Sequence, residues 1–239
     1  MQVTTKAIVL SSLKYGDTSL IVKAYTRSSG LRSYLLKGIL STRKGKLKPA
    51  LFQPLSQLEI VAQHRDKGTL ERIREAKLNY HYTSVYKDIA KNTMVLFLAE
   101  MLNNSIQEEE GNASLFHYLE TALQWFDGHG GIANFHIYFL LGLTRFLGFF
   151  PDTTNSHFDY FDFQEGEFVE TPSMNPTMDE KTLEYFKDFL GIHFDAIHTI
   201  KMNQQHRKEL LNAIVLYFEL HLQGFRKPRS LVVLNEVFS

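Results

Sequence analysis

The sequence predicts an α+β protein of two domains: a small five-stranded β-barrel, followed by a mainly α-helical part that contains one β-hairpin. Two properties change near residue 80. The spacing of apolar residues changes from every second residue to every third or fourth, and the net charge changes sign. A length of 239 residues suits two domains of modest size. We therefore predict domains at 1–80 and 81–239.

The first 80 residues contain five segments with the composition and alternation of β-strands. They cover residues 3–13, 19–25, 31–37, 55–63 and about 69–76. In the fourth segment, Leu58, Ile60 and Ala62 alternate with polar residues, which predicts one buried and one exposed face. In the fifth, Leu70 and Ile73 break the period of two, and a β-bulge would explain the break.

Five short strands in a segment of this length are typical of a small barrel, closed or nearly closed. The connection 38–54, between the third and fourth strands, is long and basic. An oligonucleotide-binding (OB) barrel has five strands and a variable connection at this position, so the OB topology is our prediction. A small SH3-like barrel is the competing topology.

From about residue 82 the apolar residues recur at helical spacing. This spacing predicts helices within 82–101, 113–126, 132–149, 177–190 and 211–222. The helix at 132–149 is apolar on nearly every side, which is typical of the central helix of a domain. Between the third and fourth helices, residues 157–171 alternate aromatic and acidic side chains around Glu165-Gly166, which predicts a β-hairpin.

The charge is divided by position along the chain. Residues 1–80 contain 15 basic and 5 acidic residues, a net charge of +10, whereas residues 81–239 contain 11 and 21, a net charge of −10. No carboxylate lies between Asp17 and Glu59, but eight Lys and Arg residues do. A field of this kind attracts polyanions to the first domain.

Composition and motifs argue against several other functions. The chain contains no Cys, which excludes disulfides, a thiolate nucleophile and a cysteine-held zinc ion. The ten histidines are scattered, and no motif of a hydrolase or a phosphate loop is present, so we predict no catalytic residues, metal or cofactor. The apolar segment 137–150 is too short to span a membrane and contains Arg145. We predict a cytoplasmic protein without a membrane partner.

Basic side chains in the first domain are the candidate functional residues, because Lys and Arg bind phosphates and release condensed counterions. The main candidates for DNA phosphate contacts are Lys37, Arg43, Lys44, Lys46 and Lys48. The flanking candidates are Arg27, Arg32, Arg72 and Arg74. Four aromatic residues would provide stacking surfaces for unpaired bases if they face outward, although aromatic residues are more often part of a core. These are Tyr15, Tyr25, Tyr34 and Phe52.

Two alternatives remain open for the basic domain. It would serve as a protein-interaction adaptor if the cations bind an acidic partner, and as an RNA-binding protein if it prefers RNA to DNA of equal length. Replacing the cations of residues 43–48 separates the DNA-binding hypothesis from the adaptor hypothesis.

Several short segments follow one another in an order that is specific as a set. They include KAIVL at 6–10, YGDTSLIV at 15–22, LFQPLSQLE at 51–59, IREA at 73–76, YFELHL at 217–222 and RKP at 226–228. In these segments, which span most of its length, the chain resembles the RecO family of bacterial recombinational repair proteins.

The resemblance implies an N-terminal OB domain, a C-terminal helical domain and no covalent catalysis. It also implies binding of single- and double-stranded DNA, annealing of complementary strands and, with RecR, help in loading RecA onto coated single strands. Such a protein would be associated with the nucleoid. A further implied partner is the acidic tail of single-strand DNA-binding protein, held by the helical domain.

The chain departs from the family in two respects. Many relatives carry a four-cysteine zinc site, whereas residues 151–171 contain no Cys, so we expect aromatic packing in the hairpin and no zinc. The helical domain is also acidic, which disfavours an acidic tail unless cations cluster locally. The candidate cations are Arg145, Lys187, Arg226, Lys227 and Arg229.

Overall fold

The computed structural model describes residues 1–41, 47–65, 70–130, 132–172, 174–178 and 180–237. The chain groups into two compact units, Met1–Gly128 and His129–Ser239. The first unit contains a five-stranded sheet and two helices, and the second contains four helices and a short hairpin. A domain boundary at residue 80 remains a prediction.

The five predicted strands are present in the first unit. They are β1 (Gln2–Tyr15), β2 (Ser19–Thr26), β3 (Gly30–Leu36), β4 (Gln57–Gln63) and β5 (Arg72–Leu78). The strand order is β3-β2-β1-β4-β5, and adjacent strands in this order pair antiparallel. A short 3₁₀ helix, Pro49–Phe52, lies in the connection between β3 and β4. The fold is therefore α+β with an OB-like sheet, as predicted.

Alternating side chains of the sheet form its core. Val9, Val22 and Ile60 point to the same side and are fully or almost fully buried. Tyr34 and Phe52 complete this cluster. Because successive residues of a strand face opposite sides, the residues of β2 and β4 that alternate with the core residues lie on the outer face of the sheet.

The sheet is not closed into a barrel, so the prediction of a barrel is wrong in this respect. One parallel bridge joins Tyr34 to Glu71, where the Leu35 N–H donates to the Glu71 carbonyl and the Glu71 N–H donates to the Ser33 carbonyl, both at 2.9 Å. Beyond the bridge, the register of β5 skips one residue at Arg74. Such a bulge bends and twists its strand. The sequence predicted an irregularity between Leu70 and Ile73, whereas the observed bulge lies at Arg74, directly after Ile73.

Two helices, α1 (Ile89–Ser105) and α2 (Ala113–Gly128), follow the sheet within the first unit. The predicted helix from residue 82 begins late, because turns occupy 82–88. There the backbone N–H groups of Thr83, Ser84 and Val85 donate to the carboxylate of Asp127 instead of joining a helix. Helix α1 then begins after Asp88, whose side chain accepts a hydrogen bond from the Lys91 N–H and caps the helix.

The second unit is helical with one hairpin. Its elements are α3 (Phe135–Leu147), β6 (Tyr160–Asp162), β7 (Glu167–Val169), α4 (Glu180–Gly191), α5 (Gln204–His221) and α6 (Ser230–Val237). The predicted hairpin is confirmed, whereas α6 was not predicted. The ring of Phe161 lies 5.1 Å from that of Phe168, 4.8 Å from that of Phe186 and 5.7 Å from that of Tyr217. The hairpin is therefore attached to α4 and α5 by aromatic packing, as expected.

Candidate nucleic-acid interface

A groove lies at the open seam between β3 and β5. Its volume is about 320 Å³, and Lys37, Arg72 and Arg74 line it together with apolar side chains such as Leu35 and Leu47. None of the described residues that line the groove is acidic. The groove therefore combines three positive charges with an apolar surface.

Local backbone geometry places each of these cations. Lys37 is exposed directly after β3 ends, and Arg72 is exposed at the start of β5. Arg74 is the extra residue of the β5 bulge. Its Nη1 donates to Oε1 of Gln2 at 3.0 Å, and its Nη2 lies 3.5 Å from Oε1 of Gln63. Neutral amides thus orient this guanidinium group without neutralising its charge.

Other predicted DNA contacts are only partly described. Lys48 is exposed, and it follows Leu47, which lines the groove. Arg43, Lys44 and Lys46 lie outside the described residues. Of the nine predicted cations, the structure therefore brings Lys37, Arg72 and Arg74 together in one groove. Lys48 is adjacent in sequence to the groove residue Leu47.

Arg27 and Arg32 lie at the opposite end of β3. Arg27 is exposed in the turn that precedes β3. The Arg32 side chain is only 16% exposed, and its Nε donates to the Ser29 carbonyl at 3.0 Å. Its Nη1 lies 3.9 Å from the carboxylate of Glu71. Arg32 is thus committed to contacts within the protein and does not line the groove.

The acidic segment, residues 107–111 (QEEEG), packs against the same end of β3. The Leu31 N–H donates to the Glu108 carbonyl at 2.9 Å, and Nη2 of Arg32 lies 3.4 Å from the Glu109 carbonyl. Gly30 permits this approach, because a Cβ there would lie 2.4 Å from the Glu110 carbonyl oxygen. The backbone of these glutamates is thus attached to the edge of the sheet.

A buried polar cluster joins the strands at the seam. The Tyr34 hydroxyl is 3.0 Å from Nε2 of His64, and the same nitrogen lies 3.5 Å from the Glu71 carboxylate. The Arg65 N–H donates to the other oxygen of Glu71 at 3.1 Å. Burial, with a smaller contribution from Glu71, raises the pKa of Tyr34 well above its usual value. The Tyr34 hydroxyl therefore stays protonated and can serve as a hydrogen-bond donor.

Three of the four aromatic residues considered for base stacking are part of the core. Tyr25, Tyr34 and Phe52 are almost completely buried. Tyr15 is 55% exposed, near the tip of the β1–β2 hairpin, and Leu13 beside it is 64% exposed. Sequence reasoning did not single out Leu13, because its exposure depends on how the folded strands pair.

Comparison with known proteins identifies the family. The family model "Recombination protein O N terminal" matches residues 1–82, and "Recombination protein O C terminal" matches residues 86–230. Proteins called "DNA repair protein RecO" are similar over the whole chain. The one from Christiangramia forsetii is 51% identical and the one from Flavobacterium psychrophilum is 45% identical, both over 100% of each chain. The one from Bacteroides fragilis is 38% identical over 98% of each. The chain belongs to the RecO family.

The four-cysteine zinc site that the resemblance implies for many relatives would require cysteine ligands. The sequence contains no Cys. Among the described residues, no three His, Asp or Glu side chains group in a way that would hold a metal ion. The Asp162 carboxylate instead accepts the N–H groups of Gln164 and Glu165 and contacts the Asn175 amide, which stabilises the hairpin turn.

The five cations considered for an acidic tail differ in their surroundings within the second unit. Arg145 lies 3.7 Å above the centre of the Phe150 ring, and Nζ of Lys187 donates to the Phe158 carbonyl at 2.6 Å. Lys227 forms an ion pair of 2.9 Å with Glu219. Arg226 and Arg229 are exposed between α5 and α6.

None of the described helices is both long enough and apolar enough to cross a membrane.

Proposed function

We propose that this RecO-family chain acts in DNA repair and recombination by binding single- and double-stranded DNA along the groove between β3 and β5. The observation that supports this proposal most directly is the meeting of Lys37, Arg72 and Arg74 in a groove whose described lining contains no carboxylate. Nucleic acids present closely spaced phosphates, and a groove lined by several cations can bind such a phosphate backbone along its length.

Annealing of complementary strands is consistent with contacts of this kind. Cations that bind phosphates reduce the repulsion between two strands, and contacts to the backbone leave the base edges free to pair. Family membership supports the further proposal that the protein, together with RecR, helps to load RecA onto single strands coated by single-strand DNA-binding protein. The acidic tail of that coating protein is a proposed partner of the second unit. Association with the nucleoid would follow from DNA binding.

The salt dependence of binding tests the proposed groove. Each phosphate contact contributes about −0.7 to the slope of log K against log salt for single strands. Changing Lys37, Arg72 and Arg74 together to Gln should therefore make the slope less steep by about 2. Binding of a fluorescent oligonucleotide, measured between 50 and 200 mM salt by anisotropy, gives both slopes.

A matched control separates the groove from net charge. Lys87, Lys201 and Lys208 are exposed cations outside the groove lining, and their change to Gln alters the net charge by the same amount. We expect this control to keep most of the slope of the original protein. If both triple variants change the slope equally, the groove is not the binding site.

Two further assays test the finer proposals. A fluorescent strand-annealing assay, with and without single-strand DNA-binding protein, should show annealing that is lost in the groove variant. Competition with RNA of equal length tests nucleic-acid preference, and preferential binding of RNA would favour the RNA-directed alternative. Unchanged DNA binding in the groove variant, with loss of a protein complex, would favour the adaptor alternative.

A further inference from the structure

The outer face of the β1–β2–β3 sheet carries an apolar surface next to the groove. The strand register places Leu13 opposite Ile21 and Ile21 opposite Leu35, so these three side chains form one row across the strands. Tyr15 lies two residues after Leu13 and therefore faces the same side. We call Leu13, Tyr15, Ile21 and Leu35 the apolar platform.

A bulge in β1 turns these side chains outward. Ala7 and Val9 belong to the core, and simple alternation from them would direct Leu13 and Tyr15 inward as well. The register with β2 skips one residue at Leu10, however, because Val9 pairs with Ala24 and the next pair is Ser11 with Lys23. A shift of one residue exchanges the two faces of a strand. The bulge thus places Leu13 and Tyr15 on the outer face of the sheet.

The platform begins where the helices of the unit stop covering the sheet. On the same outer face, the ring of Tyr25 stacks on that of Phe116 in α2 at 6.3 Å. Farther along β2, Nζ of Lys23 reaches the carbonyl of Asn103 near the end of α1. Ile21, the next outward residue of β2, is half-buried, whereas Leu13 and Tyr15 on β1 are 64% and 55% exposed. Burial therefore decreases toward the hairpin tip.

The platform and the groove are continuous. Leu35 belongs to the platform and also lines the groove, as does Lys37, the first residue after β3. The Gly38 N–H lies 3.4 Å from Oγ of Ser19, which places the start of the groove beside the hairpin. A ligand that lies along Lys37 can therefore also cover the platform.

We infer that the apolar platform stacks the unpaired bases of a single DNA strand whose phosphates lie in the adjoining groove. This inference rests on the proposed function. Aromatic and aliphatic surfaces stack any base, whereas the bases of an intact duplex are already stacked and paired and do not present their faces. The charge of the region favours nucleic acid as the occupant, because Asp17 is the sole carboxylate among residues 1–58. The platform thus gives the groove a preference for single strands.

Substitution of Tyr15 tests this inference. Removal of one aromatic stacking surface weakens binding of a single strand by about 5- to 100-fold. We expect Tyr15→Ala to lose affinity for oligo(dT) within this range and to bind a duplex of equal length as before. Tyr15→Phe keeps the ring and should bind both ligands like the original protein. Circular dichroism melting of each variant checks that the fold is retained.

Photocrosslinking provides a second readout that does not depend on affinity. An oligonucleotide that contains 5-iodouracil should crosslink to the peptide that carries Tyr15, as identified by mass spectrometry, when the DNA is single-stranded but not when it is duplex. Equal affinity of Tyr15→Ala and the original protein for oligo(dT), or a parallel loss of single- and double-strand binding, would overturn the inference. If the groove variant still binds DNA normally, the proposed function fails as well; if only Tyr15→Ala binds normally, the inference alone fails.

Discussion

Replacing Asp127 with alanine should strongly destabilise the first unit, because this carboxylate organises the turns that join the sheet to α1. Asp127 is 3% exposed. It accepts the backbone N–H groups of Thr83, Ser84 and Val85 at 2.8, 2.8 and 3.1 Å. Burial would raise the pKa of Asp127, but these N–H donors outweigh it and hold the pKa well below its usual range. The carboxylate is therefore ionised in the folded protein.

The magnitude follows from the donors that lose their acceptor. A buried donor without an acceptor costs about 1 to 3 kcal/mol. Ser84 is half-buried and Val85 is buried, whereas Thr83 is exposed to water. In addition, buried Lys91, whose Nζ donates to the carbonyl of Asp127 at 2.9 Å, would lose a nearby negative charge. We expect a loss of about 3 to 5 kcal/mol, a large part of a typical unfolding free energy of about 5 to 15 kcal/mol.

Urea unfolding at pH 7, followed by tryptophan fluorescence, measures this loss. The protein has one tryptophan, Trp125, which lies in α2 within the first unit, two residues from Asp127. Asp127→Asn keeps one acceptor oxygen and should cost less than Asp127→Ala. Asp188→Ala, at an exposed position of α4, is the control and should change stability by less than about 0.5 kcal/mol. A loss below about 1 kcal/mol for Asp127→Ala would refute the reasoning.

Three further predictions concern packing and protonation. Gly30→Ala should lower the melting temperature more than Gly16→Ala. Both residues have φ of +61°, but only at Gly30 would a Cβ clash, because it would lie 2.4 Å from the Glu110 carbonyl oxygen. Equal effects of the two substitutions would contradict this. Burial, and to a smaller extent the nearby Arg207, lowers the pKa of His136 to about 3. The NMR signals of its ring should therefore show no titration near pH 6.5. The free energy of unfolding should fall as the pH drops below about 6.5, because the unfolded chain then binds a proton that the folded protein does not. Tyr34→Phe removes the hydroxyl that contacts His64 and should lower the unfolding free energy in urea by about 1 kcal/mol, whereas no change would indicate that the seam does not depend on this hydrogen bond.

Local patterns predicted most of the strands and helices. The alternation in β4 and the aromatic–acidic pattern of the β6–β7 hairpin are properties of neighbouring residues, so the sequence alone was sufficient to locate these elements. Sequence reasoning missed α6, a short helix of eight residues with four apolar side chains in its first five positions and no clear helical period. It also extended α1 back to residue 82, because the hydrogen bonds that hold those turns come from Asp127, far along the chain.

Part of the candidate site was visible in the sequence as a concentration of positive charge. Patterning predicted that Lys37, Arg72 and Arg74 were candidates, but it treated the last two as flanking residues. They meet Lys37 because β5 begins beside β3, where a bridge joins Tyr34 to Glu71, a residue far along the chain. The same approach brings Glu71 close to Arg32 and removes that arginine from the set of available cations.

The order and type of the β elements, the division of charge and the absence of cysteine ligands were determined by the sequence itself, because they depend on residue identity and on short-range periodicity. The tertiary structure decided which cations share a groove, whether the sheet closes and which aromatic side chain reaches solvent. The outward position of Tyr15 depends on the bulge at Leu10, and the position of Arg74 depends on the bulge in β5. A shift of one residue in strand pairing moves every later side chain of that strand to the opposite face of the sheet. Only the pairing of the folded strands specifies where such a shift occurs.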